Sequence, residues 1–133
     1  MLGAKVGLLP LRPENRFVPD PEELRSIMTP DTKLIVINNP NSPTGTLYDR
    51  ELLTQISEIA RDAGAYILCD EVYYNLRADS QPNAPSIADV YERGIATSSL
   101  SKALSLAGIR IGWMTGSSDV IEACKQKSKS IST

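Results

Sequence analysis

The chain has 133 residues, 41% of them hydrophobic and 23% charged, with 14 Lys and Arg against 16 Asp and Glu and a formal net charge of −2. One domain's length of globular composition excludes a low-complexity or highly charged disordered chain, and the small negative charge leaves no electrostatic footprint for nucleic acid or an anionic membrane surface. The absence of histidine excludes His-based triads, His-ligated zinc and His as a general base, so any chemistry must run on Lys, Asp, Tyr, Ser, Arg or Cys.

In chain order, Lys5 to Leu11 reads as a short strand. Asp20-Pro21-Glu22-Glu23 is a helix start, with Asp as N-cap, Pro at the first helical position and carboxylates in the first turn. Thr32 to Asn38 is β-branched and almost continuously apolar, which predicts a parallel strand buried on both faces. Asn39 to Gly45 is a loop whose two X-Pro pairs hold it extended and whose Gly45 permits a sharp turn. Asp49 to Ala63 is a helix with Leu52, Leu53, Ile56, Ile59 and Ala60 on one stripe and Gly64 at its C-cap. Ala65 to Asp70 is a second buried strand ending in a carboxylate, and Ser80 to Pro85 a polar, proline-bearing loop. Gly94 to Ser98 and Arg110 to Thr115 read as further strands, with Trp113 packing on the last, and Asp119 onward as a helix.

Strands alternating with helices imply an α/β fold with a mostly parallel sheet and flanking helices. Polar residues cluster just after the strands, at Asn38-Asn39, Asp70-Glu71 and Ser98-Ser99. In open α/β sheets that carboxyl edge is where ligands bind. No apolar run approaches the ~20 residues that span a bilayer. Met1 to Lys5 lacks a signal-peptide pattern. Cys69 and Cys124 form neither a CxxC nor a metal spacing, which points to a reduced, cytoplasmic compartment. Cys69 is expected to face the core as a small hydrophobe.

Three segments carry candidate chemistry. In Ser98 to Gly112, Lys102 sits among small hydroxyl residues and Arg110 follows. Small neighbours leave room for a planar group, and Ser99, Ser101 and Arg110 together can bind a phosphate. An isolated Ser-Lys pair would instead be a surface lysine beside helix-capping serines. Asp70 ends an apolar strand, where a carboxylate is costly to bury unless paired. Its plainer reading is a strand-end Asp capping the next turn. Tyr73 and Tyr74 follow, with rim packing as their ordinary role. The third segment, Asn38-Asn39-Pro40-Asn41-Ser42-Pro43-Thr44-Gly45, is either a binding loop or an ordered connection whose amides cap backbone groups.

Together these segments resemble the fold-type-I pyridoxal-phosphate enzymes, specifically the class I/II aminotransferase family, from about Ala4 to Ile131. Ser99 to Gly112 matches the family's lysine signature at every restricted position. Asn-Pro-Asn-Ser-Pro-Thr-Gly and Asp-Glu-Val-Tyr stand in the family's order. The resemblance implies that Lys102 is the catalytic residue, holding pyridoxal 5'-phosphate as an internal aldimine and then moving the proton between Cα and C4′. It implies that Asp70 pairs with the pyridine nitrogen, which would account for a buried charge there, and that Tyr73 bonds the cofactor's phenolic oxygen. Ser99 and Arg110 would hold the phosphate, with Ser101 beside them. Where the family has Asn before Pro-Thr-Gly, this chain has Ser42, with Asn41 one residue earlier, so Ser42 or Asn41 would make the ring-oxygen contact. No metal is implied.

Family members are longer and have two domains. By that resemblance, residues 1–133 are expected to correspond to part of the large, cofactor-binding domain, without the N-terminal part of that domain and without the small domain. The implied function is amino transfer between an amino acid and a 2-oxo acid, in a cytoplasmic homodimer acting on small molecules rather than nucleic acid or membrane. Two other readings remain open. One is a different reaction on the same cofactor, such as a C–S lyase, a decarboxylase or an arginine-modifying enzyme like capreomycidine synthase. The other is a non-catalytic remnant, since the isolated chain lacks half the site and is expected to be inactive and to expose an apolar surface.

Overall fold

Local signals set the helices. In the computed structural model, which describes residues 3–76 and 83–131, helix α1 spans Pro21–Ile27. Asp20 caps it, accepting the N–H groups of Glu22 at 2.8 Å and Glu23 at 3.4 Å. Helix α2 spans Arg50–Asp62 with Asp49 accepting from Leu52 N–H at 2.9 Å. Its predicted stripe is inward: Leu53, Ile56, Ile59 and Ala60 are buried and Leu52 is partly buried. Gly64, at φ +66°, ends it, and Ala65 N–H returns to the Ala60 carbonyl at 2.8 Å. Helix α3 spans Ser118–Ile131. Among the described residues no helix is long and apolar enough to cross a membrane.

Four strands form one sheet in the order β1 (Leu34–Asn38), β2 (Tyr66–Asp70), β3 (Gly94–Ser99), β4 (Gly112–Thr115). β1, β2 and β3 are mutually parallel and β4 is antiparallel to β3, so the fold is α/β with a mostly parallel sheet, as read from the sequence. Successive parallel strands laid down in one direction send their right-handed crossovers to the same face. Ile35, Ile67, Cys69 and Ala96 point to that face. There they form one core with Leu24, Tyr48, the α2 stripe, Ile87 and Tyr91.

Several expectations change here. β1 and β2 are not buried on both faces: on the opposite side Leu34, Val36 and Tyr66 are 47%, 66% and 37% exposed, because the crossovers cover only one. Lys5 to Leu11 is irregular rather than a strand. It pairs with none of the sheet's strands, and Val6 and Leu8 stay more than 80% exposed while Leu9 packs on the core. The Asn39–Gly45 loop is not extended but folded into a turn. Gly45 N–H donates to Asn41 O and Asn41 N–H to Thr46 O, each at 2.8 Å, and both X-Pro peptides are cis. The last strand starts at Gly112 because Arg110 takes a left-handed φ of +59° and breaks the ladder. Trp113 does not pack away, being 49% exposed. Of the predicted Ser80–Pro85 loop, residues 80–82 lie outside the described residues, and 83–85 are irregular.

Candidate active site at the carboxyl edge of the sheet

Parallel strands end at one edge, and the register shows which ends meet. Asn38 lies opposite Asp70, and Asp70 opposite Thr97; Ser99 lies opposite Gly112. The loops leaving β1, β2 and β3 therefore share this edge with the entry to β4. Asn41 and Ser42, Asp70 and Tyr73, Ser99 to Lys102, and Arg110 are all brought to it. The alternation of strand side chains puts Asn38, Asp70 and Thr97 on the face that the crossovers leave open.

Asp70 is exposed, not buried, which corrects the expectation of an inward charge. It is the last residue of β2 on the open face. Its carboxylate accepts Val72 N–H at 3.1 Å, the turn-capping arrangement. Its carbonyl accepts Asn38 Nδ2 at 2.9 Å and Asn39 N–H at 3.0 Å, which ties the β1 exit to the β2 exit. Tyr73 and Tyr74 are half-buried in the turn that follows, which is closed by Tyr74 N–H to Glu71 O at 2.9 Å and Leu76 N–H to Tyr73 O at 3.0 Å.

Beyond β3, Ser99 Oγ accepts Ser101 N–H at 3.3 Å, and both serines are half-buried. Lys102 lies exposed in the next turn, whose carbonyl accepts Ser105 N–H at 3.2 Å. The segment is drawn back toward β4 by Leu100 N–H to Ile111 O and Leu106 N–H to Leu100 O, each at 3.1 Å. Arg110 is exposed, with Nη1 donating to Ala107 O at 3.2 Å. In the β1 loop, Asn41 Oδ1 accepts Thr44 Oγ1 at 2.7 Å, so this carboxamide oxygen is occupied within the turn. Ser42 is exposed, with its N–H donated to Asn38 Oδ1.

Two residues at this edge, named in the sequence only within polar clusters, have roles that the sequence reading did not assign. Asn39 is 3% exposed and clamps Tyr48, donating Nδ2 to Tyr48 O at 3.1 Å and accepting Tyr48 N–H at 2.8 Å. Glu71 is 7% exposed. Burial pushes its carboxyl above the usual range, opposed by the Ile87 N–H at 2.8 Å and the Ser86 hydroxyl at 3.1 Å. The signal for Glu71 was available: with Cys69 inward and Asp70 outward, alternation sends the next side chain inward. Cys69 is buried in the core, and that burial raises its thiol and disfavours the nucleophilic thiolate.

The family model of aminotransferase class I and II matches residues 1–133. An aspartate aminotransferase of Pyrococcus horikoshii is 41% identical over 119 residues, which are 90% of this chain and 30% of that protein. Capreomycidine synthase of Streptomyces vinaceus is 34% identical over 119 residues, again 90% of this chain and 30% of the relative. The crystal structure of a PLP-dependent aminotransferase from Streptococcus suis superimposes with a TM-score of 0.88 at 49% identity, over 94% of this chain and 33% of that one. The chain thus spans about a third of the length of the relatives it matches. With the family match running over its whole length and the same α/β fold in the neighbouring structure, the chain belongs to the class I and II aminotransferase family.

Proposed function

We propose that the protein is a pyridoxal-phosphate-dependent aminotransferase that exchanges an amino group between an amino acid and a 2-oxo acid, and that this chain is part of its large, cofactor-binding domain. The observation that carries the reading is the collection of one amine, one carboxylate, one phenol, two hydroxyls and one guanidinium at a single sheet edge. That donor set fits the cofactor group by group. The Lys102 amine suits its aldehyde and the Asp70 carboxylate its protonated pyridine nitrogen. Tyr73 can donate to the phenolic oxygen, and Ser99, Ser101 and Arg110 match the phosphate. When bound, the cofactor supplies an electron-withdrawing ring that stabilises negative charge at the substrate's Cα.

The remaining work falls to the chain's own side chains. Lys102 would serve as the base that moves the proton at the substrate's Cα, so no histidine would be needed. Asp70 holds a negative charge at the pyridine nitrogen, and its exposure on the open face leaves its carboxylate accessible for that pairing. Tyr73 orients the ring from the adjoining turn. Ser42, with its side chain outside the turn that engages Asn41, is the better placed of the two for the ring-oxygen contact. Substrate selection, the homodimer and a cytoplasmic location complete the proposal for the intact protein. By itself the 133-residue chain is expected to turn over poorly.

The test is visible absorbance of the purified protein with pyridoxal phosphate, then borohydride reduction and peptide mapping. The expected result is a reduced adduct on the Lys102 peptide, loss of the absorbance band in Lys102→Ala, and weaker binding in Asp70→Ala. An adduct on any other residue overturns the assignment. The similarity to capreomycidine synthase favours a second reading, a different reaction on the same cofactor. Supplying an amino acid alone separates the two, since a transaminase would stop after the first half-reaction and the alternatives would keep cycling.

A further inference from the structure

Glu71 stands between two of the residues assigned to the cofactor, Asp70 and Tyr73, yet its side chain runs the other way. Its carboxylate is buried and accepts two hydrogen bonds from one short segment, Ile87 N–H at 2.8 Å and Ser86 Oγ at 3.1 Å. Its backbone faces a second segment: its N–H donates to Thr97 O at 2.7 Å, and its carbonyl accepts Ser98 Oγ at 3.2 Å. The same carbonyl accepts Tyr74 N–H at 2.9 Å, which closes the turn that carries Tyr73.

One residue therefore joins the β2 exit, the β3 exit and the Ser86–Ile87 segment. Ile87 is fully buried and sits at the head of a one-turn 3₁₀ helix, Ile87–Asp89, whose backbone is packed against Gly94 at the start of β3. Ile87 thus belongs to the core, and Ser86 stands half-buried beside it. Burying a carboxylate is unfavourable, and a neutral apolar side chain would fill the space at lower cost. What an apolar residue would not do is hold the turn through hydrogen bonds of fixed direction.

We propose that Glu71 is a positioning residue. Its buried carboxylate anchors the Asp70–Tyr73 turn to Ser86 and Ile87 while its backbone joins that turn to Thr97 and Ser98, and so it sets the spacing between the groups that take the cofactor's ring nitrogen and its phosphate. The inference rests on the cofactor reading above. Glu71 touches neither substrate nor cofactor; it acts through Asp70, Tyr73 and Ser99.

The test compares wild type, Glu71→Ala, Glu71→Gln and Ser86→Ala in the purified protein. It measures pyridoxal-phosphate affinity, the pH midpoint of the bound cofactor's absorbance, and the urea unfolding midpoint. Glu71→Ala is expected to weaken affinity by about tenfold or more, the range in which a partner behind a ligand contact acts, and to displace the pH midpoint. The Gln amide oxygen can accept from the same two donors, so Glu71→Gln restores both readouts toward wild type. Ser86→Ala removes one of the two bonds and gives an intermediate effect, which keeps the test decisive if Glu71→Ala does not fold. The proposal is overturned if the folded variants lose only stability while affinity and pH midpoint stay at wild-type values. Wild type that takes no cofactor on Lys102 overturns the cofactor reading itself, an outcome distinct from normal loading of every variant.

Discussion

Gly94 offers a sharp test of how β3 is seated. A Cβ built there would lie 2.4 Å from Ile87 O, 2.8 Å from Ile87 C and 2.9 Å from Tyr91 O. All three are backbone atoms, so no side chain can swing away. Ordinary contact begins near 3.4 Å, so the strand and the Ile87–Asp89 turn must part by about 1 Å, and the Gly94 N–H to Tyr91 O bond of 2.8 Å opposes the movement. Overpacking in a filled core costs about 1–3 kcal/mol. The backbone contacts put Gly94→Ala at the upper end, about 3 kcal/mol. The assay is urea unfolding followed by far-UV circular dichroism, with Gly108→Ala as control, since a Cβ at Gly108 meets nothing within 4 Å. Because β3 ends at Ser99, cofactor affinity should fall in parallel. A Gly94→Ala protein within about 0.5 kcal/mol of wild type, the scatter of surface changes, would refute the close seating of β3 on this turn.

Three further outcomes are expected. Asn39→Ala leaves the buried N–H and C=O of Tyr48 without their side-chain partner and should destabilise by about 2–4 kcal/mol; a negligible change in the urea midpoint would show that the clamp is idle. Glu92, hydrogen-bonded by Arg61 Nε at 3.0 Å and Nη2 at 2.8 Å, has its carboxyl lowered from 4.5 to about 2. Its stabilising contribution is therefore present above pH 4.5 and lost as pH falls toward 2, and because the pair is exposed it is reduced by salt. The stability difference between wild type and Glu92→Gln at low salt should shrink across that window, and a constant difference would contradict the assignment. Last, the open sheet face, with Val36 66% exposed and Leu34 47%, should make the isolated 133-residue chain bind a hydrophobic dye and self-associate; a monodisperse, dye-silent monomer would count against an accessible apolar face.

The elements that depend on neighbouring residues were legible in the sequence. Asp20-Pro21 and Asp49 start helices because a cap is satisfied within three residues, and the α2 stripe is inward because a helix face is set by its period. The polar strand ends, Asn38, Asp70 and Ser99, marked the carboxyl edge because parallel strands must finish together. Lys102 and Arg110 were singled out as candidates by their company in the sequence. Tertiary structure decided what depends on partners remote in the chain. Lys5 to Leu11 has strand composition but pairs with no strand among the described residues, and β1 has two apolar faces but a cover on only one. Asp70 and Glu71 are adjacent carboxylates of nearly equal chemistry. The face of the sheet each one meets decides their difference: Asp70 is free to pair with a ligand, while Glu71 is held in the core by Ile87 and Ser86. Likewise the fold of the β1 loop turns Asn41 onto Thr44 and leaves Ser42 outward. Composition and spacing name the groups present, but only pairing across the sheet determines which of them lie on its open face and which are held in the core.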